Sequence, residues 1–297
     1  MTSSTTDGWL RYEKVHGRRH TVSGNVWVWP SLISAELSHA REILVYVPPS
    51  LAAHVPGESE NGDHRYPVIY FHDGQNMFDS HTSYVGEWEA DETLEILAED
   101  GIEVIAVGIP NAGEERLDEY SPWSGRTGYR ERKSAGTGDA YLEWLVDDIK
   151  PLVDRSFPTR LDRAGTGTMG SSLGGLISLY AGVKYPDLFG FIGAMSPSVR
   201  WHNSKIMELY EAWPASHQRP RIYMDMGGRE WRGAFAEVRE LREVLEQHGW
   251  VEGIDLRHVE DRYGRHHEEH WAKRLPDALR FMLAEALGET AESDSAA

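Results

Sequence analysis

The chain has no cysteine in its 297 residues, which excludes disulfides, thiolate metal ligands and a cysteine nucleophile while leaving the redox compartment open. It also lacks any run of 18 or more apolar residues, and its first 20 residues hold no apolar segment. Neither a membrane span nor a signal peptide is therefore expected, and the chain reads as cytoplasmic. Basic residues are scarce, with 30 Lys and Arg against 48 Asp and Glu, a formal net charge of −18. That balance argues against nucleic acid and anionic membranes as partners. Internal repeats are absent, and biased composition is confined to the ends. Residues 1–8 are Ser- and Thr-rich and read as a frayed start, and 288–297 have the composition of a disordered acidic tail. Residues 1–287 read as a single α/β domain, large enough to bury a substantial core. Its oligomeric state is not legible.

What is present alternates between strand and helix. Val26–Trp29 and Ile43–Val47 read as paired strands, and Val68–Phe71 and Val104–Ile109 as short apolar strands buried on both faces. Helices are expected over 87–99, 139–154, 234–248 and 268–287, and further strands over 189–195, 221–226 and 254–259. The segment 110–138 reads as one long loop, of a length that tends to carry function. Alternation of this kind implies a mostly parallel central sheet with helices on both faces and a site at the carboxyl ends of its strands.

The chemistry centres on Gly170-Ser171-Ser172-Leu173-Gly174, which fits the G-x-S-x-G nucleophile elbow with Ser172 as nucleophile. The turn from strand to helix is too tight for side chains two places either side of the serine. It also aims the backbone N–H of Leu173 at a developing oxyanion. Leu176, Ile177, Leu179, Tyr180 and Val183 recur at helical spacing behind it, so the required helix follows. Gly165 to Gly170 also matches the dinucleotide pattern G-x-G-x-x-G. The polar Leu161–Ala164 before it and Gly190 where an acid is needed speak against that reading.

A serine nucleophile needs a base and a group to orient it. Of the histidines after Ser172, those at 258–270 alone follow the last expected strand. Within them Tyr263-Gly264-Arg265-His266-His267 forms a loop entering a helix, a suitable place for a base. An acid just past an earlier strand end selects Glu230, with Asp225, inside the strand, as second choice. His266-His267-Glu268-Glu269-His270 also matches H-x-x-E-H, a zinc-binding pattern. A third ligand should follow downstream and no acidic motif is assembled there, so no metal and no cofactor are expected.

Five stretches carry a family resemblance: Pro67 to Asp79, Arg116 to Pro122, Gly170 to Gly175, Ser196 to Ser198 and His266 to Trp271. Over residues 40–285 the chain resembles the esterase family of α/β-hydrolases that includes enterochelin-type esterases, feruloyl and acetyl-xylan esterases, and the mycolyltransferases. The resemblance implies an α/β-hydrolase fold and a triad of Ser172, Glu230 and His266, with the oxyanion held by the N–H groups of Gln75 and Leu173. It implies a serine carboxylic-ester hydrolase acting through an acyl-enzyme on a small-molecule, acylated-sugar or siderophore-type ester. Alternatives are an acyltransferase of mycolyltransferase type, or a binding protein that kept the fold without the chemistry. His267 stands where the family has asparagine, and Gly228 where threonine is frequent. In the implied fold Asp73, Trp88, Arg116, Glu119, Tyr120, Trp123 and Trp201 lie on the same edge as Ser172. Together they suggest an aromatic rim with one cation for the substrate, Arg116 either meeting substrate or pairing with Glu119.

Overall fold

A computed structural model describes residues 8–37, 39–58, 64–127 and 132–288. All but Gly8 and Gly288 of the expected frayed start and acidic tail lie outside the described residues. In chain order the elements are β1 (Leu10–Arg11), α1 (Tyr12–Val15), β2 (Asn25–Leu32), β3 (Arg41–Val47), β4 (Val68–His72), α2 (Ala90–Glu99) and β5 (Ile105–Ile109). Then follow α3 (Arg116–Glu119), β6 (Gly125–Arg126), β7 (Lys133–Ser134), α4 (Gly138–Trp144), α5 (Lys150–Ser156), β8 (Thr166–Ser171) and α6 (Leu173–Lys184). The chain closes with β9 (Phe191–Met195), α7 (Lys205–Glu211), β10 (Arg221–Gly227), α8 (Ala234–Gln247), β11 (Leu256–Asp261) and α9 (Glu268–Leu283).

Nine strands form one sheet in the order β1-β2-β3-β5-β4-β8-β9-β10-β11. The pairings from β1 through β3 to β5 are antiparallel, and every pairing from β5 to β11 is parallel. Side chains alternate across the central strands with the period of two that a pleated strand imposes. Val68 and Tyr70 enter a core shared with α4 to α8, while Ile69 and Phe71 enter a second core shared with α2 and α9. Each such fully buried apolar side chain contributes roughly 1.5–3 kcal/mol. The sheet is thus covered on both faces, as a parallel sheet requires.

Strand β8 is buried throughout although its sequence is Thr-Gly-Thr-Met-Gly-Ser. Its neighbours fill the space that its small residues leave: a Cβ on Gly167 would lie 1.9 Å from the Phe191 ring, and one on Gly193 of β9 would lie 2.5 Å from Met169. Of the glycines of the dinucleotide pattern, Gly167 and Gly170 lie within β8 and Gly165 in the turn that leads into it, so the pattern does not follow a strand, which removes that reading.

Several boundaries differ from the sequence-based expectation. Helix α2 starts at Ala90, because Glu89 adopts a left-handed φ of 51°, so Trp88 lies ahead of it. The helix expected over 139–154 is α4 and α5 joined through a π-helical stretch, Leu145–Ile149. The 110–138 segment holds α3 and the β6-β7 ribbon. Elements β1, α1 and α7 were not expected.

Candidate active site

Ser172 occupies the turn between β8 and α6 with φ 58° and ψ −119°, a strained conformation that costs on the order of 1–3 kcal/mol and is held by its surroundings. Its N–H donates to Met195 O at 2.9 Å, and its carbonyl accepts from Ser198 N at 3.0 Å and from Leu176 N at 3.1 Å. A Cβ on Gly170 would lie 2.8 Å from the backbone of Gly174, so the two glycines flanking the elbow are a condition of its tightness. Among the described residues the Oγ of Ser172 meets Ser198 Oγ at 3.4 Å and makes no hydrogen bond to His266. Nucleophile–base contacts of this kind often tighten only when substrate is bound.

His266 Nδ1 and Glu230 Oε2 are 2.6 Å apart. The Glu230 side chain is fully buried and the His266 ring is 33% exposed, so the ring's other nitrogen is open to the cleft. The second carboxylate oxygen of Glu230 accepts from Ser196 Oγ at 2.5 Å and from Gly227 N at 2.7 Å. Ser196 is in turn held by Trp271, whose Nε1 donates to its Oγ at 3.0 Å, and by Arg274 at 3.4 Å. Asp225, the second choice for the acid, forms a two-pronged ion pair with Arg274 at 2.7 and 3.0 Å and accepts from Ser196 N at 3.0 Å. Burial pushes its carboxyl upward while Arg274 pulls the other way. Among the described residues it has no hydrogen bond or ion pair with a histidine.

The two departures from the family pattern have a local explanation. His267 accepts from Glu269 N at 3.3 Å and caps α9, a task an asparagine also performs, and its ring passes over Gly86. A Cβ on Gly228 would lie 2.8 Å from both Arg262 O and the Phe235 ring, so a threonine does not fit here. The histidines at 266, 267 and 270 do not converge: the one group of three acidic or histidine ligands among the described residues is Glu87, Asp91 and Glu92.

The loop after β4 presents the N–H of Gln75, and the first turn of α6 presents that of Leu173. Among the described residues neither group has a hydrogen-bond acceptor. Asp73 sets this loop. It adopts a left-handed φ of 57°, its N–H donates to Tyr120 Oη at 2.9 Å, and its carboxylate takes Arg116 at 2.6 and 2.7 Å and Asn111 at 2.6 Å. Burial alone raises the Asp73 carboxyl, but the Arg116 guanidinium and these hydrogen bonds outweigh it and hold it below its ordinary value.

The expected rim is largely interior. Trp88 is 1% exposed and packs against Phe71 and Trp271, so it has no surface to offer a ligand. Glu119 is buried and pairs with Arg41 at 2.7 and 2.8 Å, not with Arg116. Tyr120 is buried, and Trp201 nearly so, its Nε1 donating to Ser121 Oγ at 2.9 Å. Asp73 is consumed by Arg116 and Asn111. Trp123 remains half-buried, with Lys205 5.6 Å above its ring, and Arg116 keeps 26% of its side chain exposed. The sequence reading missed Ser196, Ser198, Asn111 and Arg274. It also missed Trp231, exposed with its ring 5.6 Å from that of His266. The Ser196 to Ser198 stretch was the one signal pointing to any of them.

A model of the esterase family, described as "Putative esterase", matches residues 34–282. The chain belongs to this family. It is 27% identical over 253 residues to uncharacterized protein YbbA of Bacillus subtilis, covering 82% of this chain and 92% of that one. It is also 27% identical over 191 residues to the siderophore enterobactin esterase of Emericella nidulans, covering 58% and 62%. Among solved structures the BES protein from Bacillus cereus superposes with a TM-score of 0.68 at 20% identity, covering 89% of this chain and 97% of that one. The enterobactin esterase FES from Shigella flexneri does so with 0.63 at 19%, covering 90% and 60%. These structures share the fold, which is the α/β-hydrolase fold. The esterase is a carboxylic-ester hydrolase of the serine type.

Proposed function

We propose that this esterase runs on a triad of Ser172, His266 and Glu230. Ser172 Oγ attacks the ester carbonyl while His266 Nε2 takes its proton, and the N–H groups of Leu173 and Gln75 receive the oxyanion. His266 returns the proton to the departing alcohol, leaving an acyl group on Ser172. A water, deprotonated by the same nitrogen, then releases the acid. Glu230 holds the ring through Nδ1 and stabilises the imidazolium. The observation that carries this reading is the 2.6 Å contact between His266 and Glu230, taken with a serine at the strained position of an elbow.

The proposed substrate is a small-molecule ester with an aromatic or polar acyl group, of the siderophore type. Supporting it are relatives named as siderophore esterases and a site that sets Trp231 beside the base and a partly exposed Arg116 near the proposed oxyanion loop. Action in the cytoplasm is part of the proposal, to be checked by cell fractionation; no described helix is long and apolar enough to cross a membrane. The test is turnover of ferric-siderophore, feruloyl, acetylated-sugar and simple aryl esters by the native enzyme and by Ser172→Ala. The variant is expected to lose at least ~10³ in kcat while remaining folded. Retention of more than a few per cent of activity would remove Ser172 from the mechanism.

A further inference from the structure

We propose that Glu87, Asp91 and Glu92, at the start of α2, form a binding site for a hard divalent cation, calcium by its donor chemistry, that ties the Thr21–Ser23 segment to this helix. One ligand atom from each of the three carboxylates lies within 4.8 Å of the others. Independently of that convergence, Asp91 is fully buried and its Oδ1 has no hydrogen-bond partner, and the buried Oε2 of Glu92 has none either. A buried acceptor left without a partner is costly, more so when charged, and a native fold keeps one for a reason.

Hydrogen bonds from Thr21 to Glu87 and from Ser23 N to Asp91 compensate in part, and among the described residues no basic side chain pairs with the three carboxylates. The charged groups acting on Glu87 are further carboxylates, Glu92, Asp79 and Glu89, and the one acting on Asp91 is Glu92. The N-terminus of α2 offers the equivalent of roughly half a positive charge against three negative ones. Two carboxylates facing each other must share either a proton or a cation. A proton shared between Asp91 and Glu92 satisfies that pair alone, whereas a divalent ion takes a ligand oxygen from all three carboxylates and offsets most of their charge.

The donors are all oxygen, which favours calcium, magnesium or manganese over zinc. Thr21 Oγ1 lies 3.2 and 3.3 Å from the Glu87 carboxylate, and Ser23 Oγ lies 3.5 Å from Glu92, adding neutral oxygens at the rim. Ser23 N already donates to the other oxygen of Asp91 at 2.5 Å, so that oxygen is oriented and Oδ1 is the one left for a ligand. An irregular set of carboxylates and hydroxyls suits calcium, which tolerates variable geometry, better than magnesium. None of the three carboxylates is among the residues of the proposed triad, and Trp88 is next in sequence to Glu87.

The test uses the full chain, stripped with EDTA, and two probes. Calcium at millimolar concentration should raise Tm by roughly 3–6 °C. Terbium should give luminescence sensitised by tryptophan and displaced by calcium. Both responses should be lost in Glu87→Gln, whose partly exposed side chain can change without harm to the core, and in Asp91→Asn. Absence of both responses in the native chain would overturn the proposal, as would responses that survive both substitutions. An Asp91→Asn chain as stable as the native one with calcium present would also overturn it and assign the pair a shared proton.

Discussion

Ser196 holds the proposed acid, donating to Glu230 while accepting from Trp271 and Arg274, with a left-handed φ of 42°. A hydrogen bond to a charged group contributes about 1.5–3 kcal/mol. Ser196→Ala is therefore expected to lower kcat by roughly 10- to 100-fold with KM little changed, since the hydroxyl acts through Glu230 and His266 and does not meet substrate. Equal loss in kcat and in affinity would count against a positioning role. Glu230→Gln should cost more than Ser196→Ala and less than Ser172→Ala. His72 makes a second residue-scale case. It is fully buried between Tyr141 Oη at 2.7 Å and Thr168 Oγ1 at 3.0 Å, and burial lowers its pKa to about 3. The folded value lies below the unfolded one of ~6.5, so this contribution to stability is present above pH ~6.5 and is lost as pH falls toward 3. The slope is about 1.4 kcal/mol per unit. His72→Gln should flatten the acid limb of the stability curve by one proton in that window; an unchanged slope would contradict it.

At the scale of elements, the elbow depends on β8 and β9 fitting together. Gly167→Ala forces a methyl into the Phe191 ring and is expected to cost more than ~2 kcal/mol by thermal unfolding, with partial rescue by Phe191→Leu. This fit also explains what the sequence could and could not disclose. The apolar runs of β4 and β5 announce buried strands, whereas β8 is buried by side chains belonging to β9, and nothing in Thr-Gly-Thr-Met-Gly reports that. The elbow, Glu230 and the His266–His267 pair were legible because strand ends and loop entries constrain them. Which of the two histidines meets the acid is decided by backbone direction, His267 being turned to cap α9. The rim was misread for a related reason: composition places Trp88, Tyr120 and Trp201 near the edge, but only packing says that they face inward. Glu119 likewise pairs with Arg41, a partner 78 residues away and buried with it, and not with Arg116 three residues before it.

For the whole molecule, one nine-stranded sheet places Ser172, Glu230 and His266 past the ends of β8, β10 and β11, and α9 returns to brace them through Trp271 and Arg274. The proposed nucleophile, base and oxyanion donors all come from the chain itself. Initial turnover at 25 °C should accordingly survive dialysis against EDTA, while the proposed cation site predicts a lower Tm in the same sample. Loss of turnover that zinc restores would revive the histidine-cluster reading. The most direct test of the central claim is mass-spectrometric mapping of the protein after reaction with an aryl fluorophosphonate. Ser198 Oγ lies only 3.4 Å from Ser172 Oγ, so the map must discriminate between neighbouring hydroxyls. One adduct per chain is expected, on Ser172, formed far more slowly in His266→Ala; an adduct on Ser171 or Ser198, or undiminished ester turnover without any adduct, would contradict the assignment.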